Sequence, residues 1–373
     1  MNKDILIVSP IPSHPQFQGN SARIYRLNQM FKLLGYRVHF VYFGMEGLNE
    51  TQRLEMESDW DTFHFVKPEG PAAEPSFVDY FDIDDWYDEK VSELVEDLCG
   101  RYKFDICLVN YVWFSKVLDV VPETTYKIID THDVFGDRHI VAAEAGLEPV
   151  WFYTTKALEA LGLERADLIL AIQSEEAKYF EGLVETPIST VGYLVPPVVL
   201  VEEPHETSAK INIGYIGSGN PFNVTSILAL HDFVSQYPCL LEKFEFSIAG
   251  TICSALKSKV PNFNLVGLVD ELDDFYRVID VVVNPMIGGT GLKIKSLEAL
   301  SYGKPLIATK DAMVGISTTS DFQKFESVEL LVSALRTFDN TAKEQLAIDS
   351  VNVFQAYNAQ QIATFKKLFG NVE

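Results

Sequence analysis

Short apolar runs alternate with amphipathic helical stretches along the whole chain, and that alternation leaves few folds open. Strands linked through helices lie parallel, and a parallel sheet needs helices on both of its faces. The runs Ile5–Ser9, Val38–Phe43, Ile106–Asn110, Lys127–Thr131 and Leu168–Ile172 predict one such sheet. The pattern restarts with Ile211–Ile216, Phe244–Ala249, Leu265–Val266, Val281–Asn284 and Leu306–Thr309, which predict a second. Between the two series lies LVPPVVLVEEPHETSAK, residues 194–210, with three prolines and a polar tail that mark a linker. The expected domains are therefore residues 1–195 and 211–345, joined by 196–210, with a final helix in 346–373 expected to return to the first domain. Ligands of open parallel sheets bind beyond the carboxyl ends of the strands, so two such domains predict a central cleft.

The chain's 373 residues, 47% hydrophobic and 22% charged, are enough for two ordinary globular domains. No run approaches the roughly 20 apolar residues a membrane span needs, and the opening MNKDILIVSP reads as a strand rather than a signal peptide. A cytoplasmic location is expected. The net charge of −23, concentrated in residues 1–195, repels nucleic acid and excludes it as a partner. Arg23, Arg26, Lys32 and Arg37 could form a small basic patch for peripheral contact with the inner face of a membrane, although a solvated helix face is the plainer expectation. Cys99, Cys107, Cys239 and Cys253 are scattered without a Cys-x-x-Cys pair, so buried free thiols are expected. Asp82-Ile83-Asp84 imitates a metal-binding Asp-x-Asp, but it lies inside a charged, aromatic run rather than after an apolar strand, which predicts a solvated helix face.

The most informative stretch is NPMIGGTGLKIKSLEALSYGKPLIAT, residues 284–309. An apolar strand stops at Asn284-Pro285, and Gly288, Gly289 and Gly291 then let the backbone turn tightly beside a ligand. The helix expected over 292–302 starts at that turn, so its unpaired amides and positive dipole end suit an anion. Lys293 and Lys295 add positive charge, and Lys295 shares a helix face with Glu298, which could take two hydroxyls of a ribose. Phosphate at one end and sugar at the other describe a nucleotide.

The run GTGLKIKSLEALSYGKPLIAT resembles the signature of the retaining glycosyltransferases of family 4, the "group 1" transferases with the GT-B fold, two Rossmann-like domains facing a central cleft. The resemblance implies that Glu298 binds the ribose of a sugar nucleotide and that the amides of Gly289, Thr290, Gly291 and Leu292 meet its phosphates or sugar. The usual pattern has a second glutamate where this chain has Thr290, so the identity of the sugar is left open. Gly19-Asn20-Ser21, before an amphipathic helix carrying Leu27, Met30, Phe31 and Leu34, resembles the family's first glycine loop, with Ser21 as an N-cap. KIIDTHDVFGDRH, residues 127–139, resembles a segment whose histidine reaches the donor sugar, which assigns that contact to His132. Asp133 could orient His132 or hold the acceptor, or it could simply pair with Arg138. The turn Gly217-Ser218-Gly219 opens the second domain; the family's cations after it are replaced here by Asn220 and Asn223, which throws more of the phosphate neutralisation onto the lysines, Lys295 in particular. Gly267 and Leu268 resemble the segment whose backbone reads the nucleobase.

These readings predict a glycosyltransferase that moves a sugar from a nucleotide diphosphate-sugar to a hydroxyl of a glycan or lipid-linked acceptor, with retention and without a cofactor or tightly held metal. A GT-B epimerase acting on the sugar nucleotide, and a non-catalytic subunit that binds sugar nucleotides or glycans, are the alternatives.

Overall fold

A computed structural model describes the chain apart from residues 1–2, 17, 70–73, 145–147, 150, 199, 201–209, 289–290 and 371–373. The chain divides into two units, residues 1–194 with 363–373, and residues 195–362. The expected linker falls largely outside the described residues.

The first unit is built on seven parallel strands, β1 (Lys3–Ser9), β2 (Tyr36–Phe43), β3 (Thr62–Val66), β4 (Ile106–Asn110), β5 (Tyr126–Asp130), β6 (Leu168–Ala171) and β7 (Ile188–Thr190), in the order β3-β2-β1-β4-β5-β6-β7. The second has five, β8 (Ile211–Ile216), β9 (Phe244–Ala249), β10 (Asn264–Gly267), β11 (Val281–Asn284) and β12 (Leu306–Ala308), in the order β10-β9-β8-β11-β12, again all parallel. Strands β4, β6, β11 and β12 are buried at every residue, as helices on both faces require. In each sheet the chain order reverses once, between β1 and β4 and between β8 and β11, and such switch points are where ligands of doubly wound sheets sit.

Two strands were not expected from the sequence. Both β3 and β7 are edge strands, every residue of β7 and the first four of β3 being half-buried, so neither carries the continuous apolar run that marks a central strand. Three other expectations are corrected. Asp82-Ile83-Asp84 lies in a turn rather than on a helix, with Asp84 paired to Arg165 at 2.6 Å and Ile83 buried. Arg23 is 2% exposed, so the four basic residues form no common surface patch. Of the four free cysteines only Cys107 is buried, and Cys239 is exposed.

The last helix runs over Asn340–Phe369, beginning before Leu346. Its final turns belong to the first unit, where the rings of Phe365 and Phe369 lie 4.9 and 5.0 Å from that of Phe31, and Tyr36 donates to the carbonyl of Phe369. Among the described residues no helix is long and apolar enough to cross a membrane.

Candidate functional site

In the second unit, the turns that follow β8 and β11 leave adjacent strands at the switch point. The first turn is a close meeting of backbones. Gly217 donates to Ala249 and accepts from Ile252, Gly250 donates to the carbonyl of Gly267, and Gly219 donates to the hydroxyl of Thr251. Gly250 and Gly267 sit at φ +94° and +89°, which a side chain would strain. A Cβ on Gly217 would come within 2.9 Å of the Tyr215 ring. Gly217, Gly219 and Gly267 thus belong to one cluster beyond β8, β9 and β10, with Leu268 next to it and 74% exposed. The amides of Gly217 and Gly219 are already hydrogen-bonded within the protein.

Lys295 brings an ammonium group to the same turn. The second helix of interest spans Ile294–Ser301, and Lys295 in its first turn reaches back to the β8 turn, donating to the Tyr215 hydroxyl at 2.8 Å and to the Asn223 carbonyl oxygen. Asn223 is itself fixed by Asn220, the N-cap of the helix Pro221–Ser235, and donates to Ser218. The two asparagines that replace the family's cations therefore help place a lysine from elsewhere. Burial, and then the charge of Lys293, push the Lys295 ammonium down to about 7 from its usual 10.5. Lys293, at the N-cap position of that helix, donates to the carbonyl of Gly291.

Glu298 lies one turn beyond Lys295 and accepts from the Tyr276 hydroxyl at 2.8 Å. Tyr276 stacks on Tyr302 at 4.2 Å, and Tyr302 donates to Asp273. Burial raises the Glu298 carboxyl, against the opposing pull of Tyr276 and Lys295. The glycine turn is stitched to its surroundings: Ile287 donates to Ser226, Gly288 to Asp311, and Thr309 to the carbonyl of Met286. Gly288 and Gly291 adopt φ +65° and +77°, as a tight turn demands. Gly289 and Thr290 lie outside the described residues. Leu292 is buried just before the helix.

In the first unit a different cluster forms at the ends of β4 and β5. Arg23 donates through Nε to both oxygens of Asp130, at 3.1 and 2.9 Å, and through its terminal nitrogens to the carbonyls of Gly192 and Val191. Asp130 is fully buried; burial opposes its charge, yet Arg23 and His132 outweigh that and hold the carboxyl at about 2. His132 Nε2 lies 2.8 Å from Asn110 Oδ1 and 3.2 Å from Asp130 Oδ2, both acceptors, while the Asn110 amide nitrogen turns to Val8. That pairing calls for a proton on Nε2, and in the singly protonated ring Nδ1 is then the acceptor. Tyr111 and His132 stack at 4.2 Å, and both sit at left-handed φ, +72° and +62°. Such backbone costs about 1–3 kcal/mol per residue and collects at functional sites.

The other first-unit candidates fare unevenly. Asp133 is engaged by Arg138 and by the amide of Val134, and none of its recorded bonds goes to His132. Gly19 and Asn20 are the first residues of the helix Gly19–Leu33, not a turn before it; Gln18 is the N-cap, and Ser21 is buried within the first turn. Sequence reasoning missed Glu176. It is 4% exposed, neither carboxyl oxygen has a hydrogen-bond partner, and burial, with Asp133 behind it, raises it to about 8. Its acidic sequence context at a helix start hides it among solvated residues.

The two parallel-sheet α/β domains define the GT-B fold, and solved GT-B structures superpose over nearly the full chain. They include a glycosyltransferase from Rickettsia africae (13% identity, TM-score 0.66, all of both chains covered) and a sucrose-phosphate synthase from Thermosynechococcus elongatus (14%, 0.66, 98% of each). A third is the Anabaena protein HepE in complex with UDP and glucose (12%, 0.66, 98% of each). Residues 210–335, about a third of the chain, match the family model of the glycosyl transferases group 1. No protein of curated function matches the sequence.

Proposed function

We propose that the enzyme transfers a sugar from a nucleotide diphosphate-sugar to a hydroxyl of a glycan or lipid-linked acceptor, with retention and with no metal needed. One observation carries this reading: the Lys295 ammonium, half-buried beside the β8 turn, has neutral partners in Tyr215 and Asn223 and lies one turn from Glu298. A partly shielded cation at the start of a helix suits a diphosphate, and the neighbouring acid suits the ribose hydroxyls. The UDP and glucose held by HepE are consistent with such a donor.

Lys295, the helix dipole and the amides at the helix start would stabilise the departing nucleoside diphosphate, the charge that develops as the glycosidic bond breaks. The acceptor hydroxyl enters on the face the leaving group vacates, and a phosphate oxygen takes its proton. His132 presents Nδ1 as the acceptor for a sugar hydroxyl, and Gly267 and Leu268 offer backbone to the base. The reading places the enzyme in the cytoplasm, with any membrane contact peripheral.

A second reading rests on His132 itself. An imidazole with its proton aimed at an ionised aspartate and a free lone pair can serve as a general base, the arrangement an inverting reaction needs. The anomeric coupling in the NMR spectrum of the first product decides between the two. The donor reading is tested by thermal shift against UDP-, GDP-, ADP- and dTDP-sugars, since a ligand of the folded state raises the melting temperature. Release of nucleoside diphosphate only when acceptor is present separates transfer from epimerisation and from passive binding. No shift with any nucleotide would overturn the reading.

A further inference from the structure

A carboxylate stands on the donor turn that the proposed chemistry has not used. Asp311 lies just beyond β12, the strand beside β11, and its Oδ2 accepts the Gly288 amide at 2.6 Å. The segment around it is fixed: Thr309 bonds the backbone of Asn284 and Met286, and the Ala312 carbonyl accepts from Ser296 of the helix Ile294–Ser301, which in turn accepts from Asn284. Asp311 is therefore held to the same frame as the glycine turn and the helix start. It is half-exposed, and its neighbour Lys310 is turned away to Glu326. Lys310 feels the charge of Asp311 only at longer range, and among the described residues Asp311 forms no close ion pair and its Oδ1 accepts no hydrogen bond.

A carboxylate beside a diphosphate site is repulsive unless something offsets it. An ionised carboxylate only accepts, and the distal phosphate of a nucleoside diphosphate has no proton to give it at neutral pH. A sugar attached to that phosphate does, as vicinal hydroxyls. We propose that Asp311 binds hydroxyls of the transferred sugar, so that the site favours the sugar nucleotide over the nucleoside diphosphate product. The inference rests on the donor reading above. It divides the two acids by partner, with Glu298 for the ribose and Asp311 for the sugar that leaves. It also gives the enzyme a means of releasing product: once the sugar has gone, Asp311 faces phosphate with nothing between.

Calorimetric titration of the wild type, Asp311→Asn and Asp311→Ala with UDP and UDP-glucose, and with GDP and GDP-mannose, tests this. Asp311→Asn keeps an acceptor for the Gly288 amide and so keeps the turn, while thermal melts show whether either variant is folded. The expected result is a loss of about 10- to 100-fold in affinity for the sugar conjugate, with the diphosphate bound as well as before or better. An unchanged ratio of the two affinities in folded Asp311→Asn would overturn the assignment, and so would an equal gain for both ligands, which would mark the carboxylate as a mere occupant of the amide. If the wild type binds neither diphosphate nor conjugate, the donor reading itself falls, and the Asp311 assignment with it.

Discussion

Binding of a nucleoside diphosphate should carry a proton into the protein, because Lys295 is held near 7 in the empty site. Below pH 7 the amine is charged in both states. Above it, the empty site holds a neutral amine beneath Tyr215 and Asn223, with Lys293 disfavouring its charge and Glu298 favouring it. A diphosphate at the helix start brings negative charge and returns the group toward its usual 10.5. At pH 8 the empty site is then about nine-tenths neutral and the occupied one nearly all charged, so binding takes up about 0.9 proton. Affinity should fall with rising pH, approaching about tenfold per unit between pH 7.5 and 9. Calorimetry with UDP or GDP at pH 8, in HEPES and in Tris, reads the uptake directly from the difference in buffer ionisation heat. Lys295→Gln should bind more weakly and take up no proton. Proton uptake that survives in Lys295→Gln, or none in the wild type although diphosphate binds, would refute the role of this amine.

Three further outcomes follow from residues already described. Asp130→Ala leaves Arg23 charged and buried without its partner, and should lower stability by about 3–5 kcal/mol in chemical unfolding. Because the folded carboxyl is held below its ordinary 3.8, the wild type's share of that stability should be intact above pH 4 and lost as pH falls through about 2. Glu176 shows the opposite sign: its folded value is raised, so stability should decline from pH 4.5 up to about 8 and then level off, and Glu176→Met should abolish that slope and add up to about 3 kcal/mol at pH 7. Gly217→Ala should displace the Tyr215 ring and weaken diphosphate binding about tenfold with little loss of melting temperature, as equilibrium titration would show.

The central strands were legible because burial on both faces imposes an apolar run, and the two edge strands were not because nothing covers one of their sides. The glycine turn and the helix bearing Lys295 and Glu298 were legible from local chemistry alone. What joins them to the β8 turn was not. The bonds from Lys295 to Tyr215 and Asn223 span residues 80 and 72 positions apart, and no periodicity reports such a contact. Arg23 shows the same limit from the other side: its basic neighbours suggested a solvated face, whereas its partner Asp130 stands 107 residues away on a buried strand. Asp311 follows a strand end with no motif around it, and only the proximity of β12 to β11 brings it to Gly288.

The return of the last helix to the first unit has a consequence for how the chain is made. Phe31 is fully buried, and two of the rings against it are Phe365 and Phe369. During synthesis the first unit's seven strands are complete by residue 190, yet the Phe31 ring waits for Phe365 and Phe369 until those residues have left the ribosome. The nascent first unit thus spends the translation of the second unit with an apolar face open, and a truncation that removes Phe365 and Phe369 would damage a unit whose strands were made long before them.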